Sequence, residues 1–303
     1  MVYCATFMRG FGLLMFYIKL ISIIVVFAIT SAVESAPSVV VTIKPLHSLV
    51  AGVMKGVSDP YLLLKRGESA HHLTLKPSQA KEIHNADLLI WVGPAFENFL
   101  SKIVKDKALP SLSLMSVEGV QLLPVRGDVH NAEIDGHIWL SPINAIEITR
   151  AVVDRLAAID PINSQIYREN GKRLVRRLMD LDEKLEAQLK PVQDRPYIIY
   201  HDALRYFEWR YGLNGGAVAQ HSELQLSVKD VVRVKRFIVE NGVSCLFYEP
   251  SLQPRLLAVL IGESGVKKHM IDPMGIKIKA GVESYFTILE SIAQVFERCL
   301  VER

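Results

Sequence analysis

Short apolar runs alternate with longer amphipathic stretches through most of the chain. In the first half, "SVVVTIKP" (38–45), "YLLL" (61–64), "ADLLIWVG" (86–93), "SLSLM" (111–115) and "HIWLS" (137–141) predict strands. Between them "LHSLVAGVMKGV", the Pro77-started "PSQAKEIHNA" and "FENFLSKIVKD" read as helices. The second half repeats the pattern with "YIIY" (197–200), "GGAVAQ" (215–220), "VSCLFYEP" (243–250) and "HMID" (269–272). Its helices follow Ser227 and Pro254, and a terminal one runs through Cys299. Strand–helix alternation with continuously apolar strands predicts parallel sheets flanked by helices.

Between the halves lies "DPINSQIYRENGKRLVRRLMDLDEKLEAQLKP" (160–191). Asp160 is placed to cap a helix with Pro161 at its first position. Ile162, Ile166, Leu174, Leu178, Leu181, Leu185 and Leu189 follow with three- and four-residue spacings, and Pro191 stops the run. At 1.5 Å per residue this predicts a helix about 45 Å long, interrupted only by Gly171. The expected architecture is α/β: two (β/α) lobes, each with a mainly parallel sheet, joined by one long rigid helix. The boundaries are 37–159, 160–191 and 192–303. Ligands of open α/β sheets bind beyond the carboxyl ends of the strands, so the cleft where two such lobes face each other is the expected site.

The first 36 residues read differently. Arg9 and Lys19 precede the apolar "LISIIVVFAIT" (20–30) and the small residues of "SAVESA", the pattern of a secretory signal cleaved between Ala32 and Ala36. The run is short for a spanning helix, which needs about 20 residues. No cysteine follows it to carry a lipid. Removing 1–36 leaves about 267 residues and lowers the net charge from +3 to about +2. That near balance offers no basic stripe for nucleic acid. Of three cysteines only Cys245 and Cys299 remain. In an oxidising compartment an even pair suggests one disulfide; two buried thiols are the alternative.

Nine histidines carry the candidate chemistry. His71, with His72 beside it, follows "YLLL" on a loop; His137 sits in "DGHIWLSP"; His201 directly follows "YIIY". Asp272 ends the last strand in "MIDPMG". Three imidazoles and a carboxylate make a four-donor set that suits zinc. His47 on the first helix is expected to pack, with the cleft rim as the alternative, and Glu249, ending a strand on the cleft side, to be structural, with a place behind a ligand as the alternative. The aromatic "YFEWRY" (206–211) is expected to form the wall behind His201.

"IKPLHSLVAGVMKGV", "HHLTLKPSQAKEIHNADLLIWVGPAFENFL", "GHIWLSP", "YHDALRYFEWRYGL", "CLFYEP" and "IDPMG" resemble, in order, the ZnuA-type periplasmic zinc-binding proteins of ABC transporters. The resemblance covers nearly the whole chain after residue 36. It implies two lobes joined by a long helix, Zn2+ bound in the cleft as the transported substrate, and delivery to an inner-membrane ABC permease with its cytoplasmic ATPase. It implies a Gram-negative periplasmic location, a monomer, and no catalysis. Position by position it implies His71, His137 and His201 as metal ligands, Asp272 near the cleft as fourth donor, and the Cys245–Cys299 bridge. Two departures stand out. Ala70 occupies the place where some members carry an acidic residue before the first histidine, which leaves the fourth donor open between Asp272 and a water. The loop "RGDVHNAEIDGH", with His130, Asp128, Glu133 and Asp135, is short where many zinc members have a long His-rich one. Related manganese binders place a carboxylate where His201 stands, and imidazole at that position favours zinc. A secreted zinc hydrolase is the rival class, but no H-E-x-x-H occurs and no general base stands beside the ligands. A surface adhesin of the same family would want the missing lipid-attachment cysteine.

Overall fold

The structure is a computed structural model describing residues 35–65, 75–106, 109–126, 133–219, 228–250, 254–262 and 264–301. In the first half, β1 (Val39–Val41), α1 (Lys44–Met54), β2 (Tyr61–Leu62), α2 (Pro77–His84), β3 (Leu88–Trp91), α3 (Asn98–Asp106) and β4 (Ser111–Ser113) follow in sequence. The strands form one sheet in the order β2-β1-β3-β4, every pair parallel, with Val40 opposite both Tyr61 and Leu89. Every residue of β1 and β3 is buried, as expected of strands covered by helices on both faces.

Ser141 then caps α4 (Pro142–Ile159), accepting from the Asn144 amide at 3.4 Å with Pro142 at the first position. α5 (Ser164–Leu189) is the long joining helix, 26 residues and about 39 Å. It is shorter than the sequence suggests because Asp160 caps a separate 3-10 turn, Pro161–Asn163, and a second turn, Lys190–Val192, follows it. Ile162 and Ile166 accordingly fall outside its buried stripe, at 69% and 39% exposed. Gly171 does not interrupt the helix: α4 crosses so closely there that a Cβ would come 2.4 Å from Val153 Cγ2.

The second half runs β5 (Tyr197–His201), α6 (Arg205–Tyr211), β6 (Gly215–Ala219), α7 (Val228–Asn241), β7 (Cys245–Tyr248), α8 (Pro254–Ile261), β8 (Lys267–Met270) and α9 (Ser284–Val301). Its sheet, β6-β5-β7-β8, is again wholly parallel. Among the described residues no helix is long and apolar enough to cross a membrane.

The lobes share material. One apolar core runs from the first sheet through α4, α5 and α9 to the inner face of the second sheet. A smaller cluster, including Ile198, Leu246 and Leu260, covers that sheet's other face. Polar side chains bolt α5 to both lobes: Asn170 donates to the carbonyls of Val53 and Lys55, and Asp182 accepts from Arg210 and Tyr211. α9 returns across the first lobe, where the Tyr285 amide donates to Ser48 Oγ at 3.0 Å and its hydroxyl to the Trp139 carbonyl at 2.8 Å. Cys245 and Cys299 form a disulfide joining β7 to α9.

That bridge spans 54 residues, a closure worth about 4 kcal/mol in the chain-entropy account. Urea titrations with and without reductant are expected to show stability falling by roughly 2–5 kcal/mol on reduction; superimposable curves would show the bridge contributes nothing.

Candidate metal centre

The order β6-β5-β7-β8 places the topological switch of the second sheet between β5 and β7, where the strand mouths part to admit a ligand. His201 ends β5, and Glu249 follows β7. His201 Nδ1 and Glu249 Oε1 are 2.8 Å apart, both side chains 12% exposed. Glu249 is therefore the partner that orients a candidate ligand, not a structural strand end.

His137 reaches the same place from the first lobe by a different route. "HIWLS" is not a strand: Ile138–Leu140 form a 3-10 turn with His137 at its N-cap. Ile138, Trp139 and Leu140 are all fully buried. Asp135 Oδ1 accepts from the His137 amide at 2.7 Å and lies 2.9 Å from its Nδ1. Phe96 and Trp139, themselves in contact, pack against the ring at centroid distances of 5.2 and 5.3 Å. Gly136 permits this approach, since a Cβ there would stand 2.6 Å from Phe96 Cβ.

The two histidine rings meet edge to face with centroids 5.3 Å apart. With each Nδ1 on a carboxylate, a metal shared by the rings is bound at Nε2. A zinc about 2.0–2.1 Å from each Nε2 lies about 3.2 Å from each centroid, and a tetrahedral angle then sets the centroids about 5.2 Å apart. The spacing fits a two-imidazole half-site.

The remaining candidates are placed as follows. His71 and His72 lie outside the described residues, as do His130 and His221. The chain on either side of residues 66–74 is held by Gln79, whose Nε2 donates to the Leu63 carbonyl and whose Oε1 accepts from the Lys76 amide. Asp272 adjoins Pro273, whose carbonyl accepts from Trp139 Nε1 at 3.1 Å. Its own oxygens accept from the amides of Ile276 and Lys277 at 2.9 and 3.0 Å, shaping the following turn. Among the described residues no group of three or more His, Cys, Asp and Glu side chains is gathered for a metal ion. His47 packs as expected: its Nε2 is 3.0 Å from the Pro60 carbonyl, and burial lowers its pKa. His84 ends α2, and His269 lies in β8.

Glu97, beside Phe96, is a fully buried carboxyl at the mouth of the first sheet. Burial pushes it up to about 7; the Thr42 hydroxyl and the amides of Gly93 and Val92 offset only part of that cost.

Asp135 and Glu249 were the site residues that sequence reasoning did not assign. The first had a local signal, a carboxylate two positions before His137. The second lies 48 residues from His201 and becomes its neighbour only through parallel pairing of β5 with β7.

Comparison with known proteins identifies the family and the fold. The family model described as "Zinc-uptake complex component A periplasmic", ZnuA, matches residues 39–299. The "High-affinity zinc uptake system protein ZnuA" of Brucella abortus (strain 2308) is 29% identical over 304 residues, covering 86% of this chain and 91% of its own. Its namesake from Yersinia pestis is 29% identical over 292 residues, covering 88% and 92%. Among solved structures, a crystal structure of ZnuA superposes with a TM-score of 0.76 at 21% identity, covering 87% of this chain and 99% of that one. The Zn(II)-bound ZnuA-like domain of Streptococcus pneumoniae AdcA gives 0.72 at 20% identity, covering 87% and 98%. At those identities the two superpositions establish the shared fold.

Glu97 makes stability depend on pH in a defined direction. Between its ordinary value of 4.5 and about 7, the folded state holds a proton that the unfolded state has lost, so stability falls as pH rises through that window. Glu97→Gln, which mimics the protonated acid, is expected to remove this slope. Urea unfolding of both proteins across pH 5–7.5 measures it; parallel profiles would contradict the assignment.

Proposed function

The chain belongs to the family of ZnuA, the periplasmic component of zinc-uptake complexes, and we propose that it captures Zn2+ as cargo and hands it to an inner-membrane ABC permease. It acts as a monomeric periplasmic binding protein, exported by the signal in residues 1–36, and it does not turn a substrate over. The permease draws its energy from a cytoplasmic ATPase.

The observation that carries this reading is the His137–His201 pair at 5.3 Å, each ring backed by a carboxylate. Such partners fix the ring's tautomer and raise its basicity as a ligand. His71 is the proposed third imidazole, supplied by the loop after β2. Asp272 is the proposed fourth donor: each of its oxygens accepts one backbone amide and keeps a second lone pair. Imidazole-rich sets favour zinc over manganese, which prefers oxygen. A site closed by four protein donors carries no activated water and so stores the ion without hydrolysing anything.

Titration against a chelating fluorophore tests the reading. One Zn2+ per chain is expected, with His137→Ala and His201→Ala each losing most of the affinity. Glu249→Gln is expected to weaken binding about 10- to 100-fold. Affinity should fall below about pH 6.5 as imidazoles take up protons. Wild-type affinity in the His201→Ala protein would remove the site, and zinc-dependent hydrolysis of ester or peptide probes would restore the enzyme reading.

A further inference from the structure

The chain leading to His137 is gripped by the opposite lobe. Residues 123–125 and 133–135 form a narrow antiparallel ribbon: the Val125 amide donates to Glu133 at 2.8 Å, the Asp135 amide to Leu123 at 2.9 Å, and Pro124 faces Ile134. Two side-chain clusters attach this ribbon to the second lobe. At its base, the Tyr206 hydroxyl from α6 accepts from the Leu123 amide at 3.0 Å and donates to the Asp135 carbonyl at 2.7 Å, tying both strands together. At its outer end, Arg126 reaches across. Its Nε lies 3.2 and 3.1 Å from the two oxygens of Asp202, and its Nη1 donates to the Gly215 carbonyl at 2.8 Å. Its Nη2 donates to Asp202 and Glu208.

These partners are not surface groups. The side chains of Asp202 and Glu208 are 2% and 3% exposed, that of Arg126 22%. Burial alone would disfavour the guanidinium charge, but Glu208 and Asp202 outweigh it and hold Arg126 above its ordinary value. Asp202 is the residue after His201, and Glu208 also accepts from the Tyr197 hydroxyl at 2.8 Å, at the start of the strand that His201 ends. One cation therefore connects the ribbon bearing Asp135 to the strand bearing His201.

We propose that Arg126 and Tyr206 are positioning residues for metal capture, holding the His137–His201 pair at ligating distance by fastening the first lobe's ribbon to the second lobe. The inference rests on the zinc-binding reading. Neither residue is a ligand.

Charge and geometry make opposite forecasts for Arg126. As a cation near a cation site it disfavours zinc, so an electrostatic role alone means tighter binding once it is removed. As a fastener its loss leaves two buried carboxylates without their counter-ion, one of them adjoining His201, and affinity falls. A half-buried guanidinium held by two buried carboxylates sets geometry, so the second forecast is the one expected.

The protein expressed from its full sequence is titrated with zinc and with cobalt(II), whose visible bands report ligand geometry. Arg126→Met is expected to bind zinc about 10- to 100-fold more weakly, the range for partners that orient ligands, with shifted cobalt bands. Arg126→Lys is expected to recover part of that affinity, and Tyr206→Phe to lose several-fold with shifted bands. Zinc affinity in Arg126→Met equal to or tighter than wild type overturns the proposal. Should that variant fail to give a cooperative melt, Tyr206→Phe decides: wild-type affinity with unshifted bands overturns it. His201→Ala is the control. If wild type and His201→Ala alike bind no zinc, the function itself is wrong; if only His201→Ala loses binding while the two positioning variants retain it, this inference alone fails.

Discussion

Two imidazole rings from opposite halves of one chain stand 5.3 Å apart, and that separation is meaningful only because the halves are not free to drift. A metal site tolerates a few tenths of an ångström of error in its ligands. Here a common apolar core, a helix fixed by Asn170 to one lobe and by Asp182 to the other, and a terminal helix laid over both supply the stiffness. Ion pairs on the outer faces, such as Arg177 with Glu283 and Lys184 with Glu290, are exposed and add little. The frame is made of buried contacts.

On that frame the chemistry is a matter of what stands behind each ring. Asp135 and Glu249 occupy equivalent positions, each within hydrogen-bond distance of an Nδ1, although one comes from a loop and the other from a strand mouth. Phe96 and Trp139 fix the plane of the His137 ring. The second sheet supplies His201 and Glu249 from adjacent strands at its switch point, the place where parallel α/β sheets open.

Much of this was legible in the sequence. Continuous apolar runs such as "DLLIW" announced buried parallel strands, and the spaced leucines from Leu174 to Leu189 announced the joining helix. The apolar run before His201 announced a strand that ends on that histidine. What escaped was tertiary or locally masked. "HIWLS" has strand composition, yet Ile138–Leu140 fold as a 3-10 turn that pairs with neither sheet. α4 went unassigned because it is apolar on several sides, wedged between the first lobe and α5, so its period is faint; Ser141 and Pro142 were the signal that could have found it. Gly171 looked like a breaker and is a crossing point. The pairing of Glu249 with His201, and the reach of Arg126 to Asp202, depend on sheet order and loop path, which no local pattern encodes.

The return of α9 has a consequence for folding. Ser48 and Tyr285, 237 positions apart, share a hydrogen bond in the interior, and α1 rests on α9. Without α9 the apolar flank of α1 would stand open to water. Long-range closure of this kind is slow, so the first lobe completes its packing only once α9 has docked against α1.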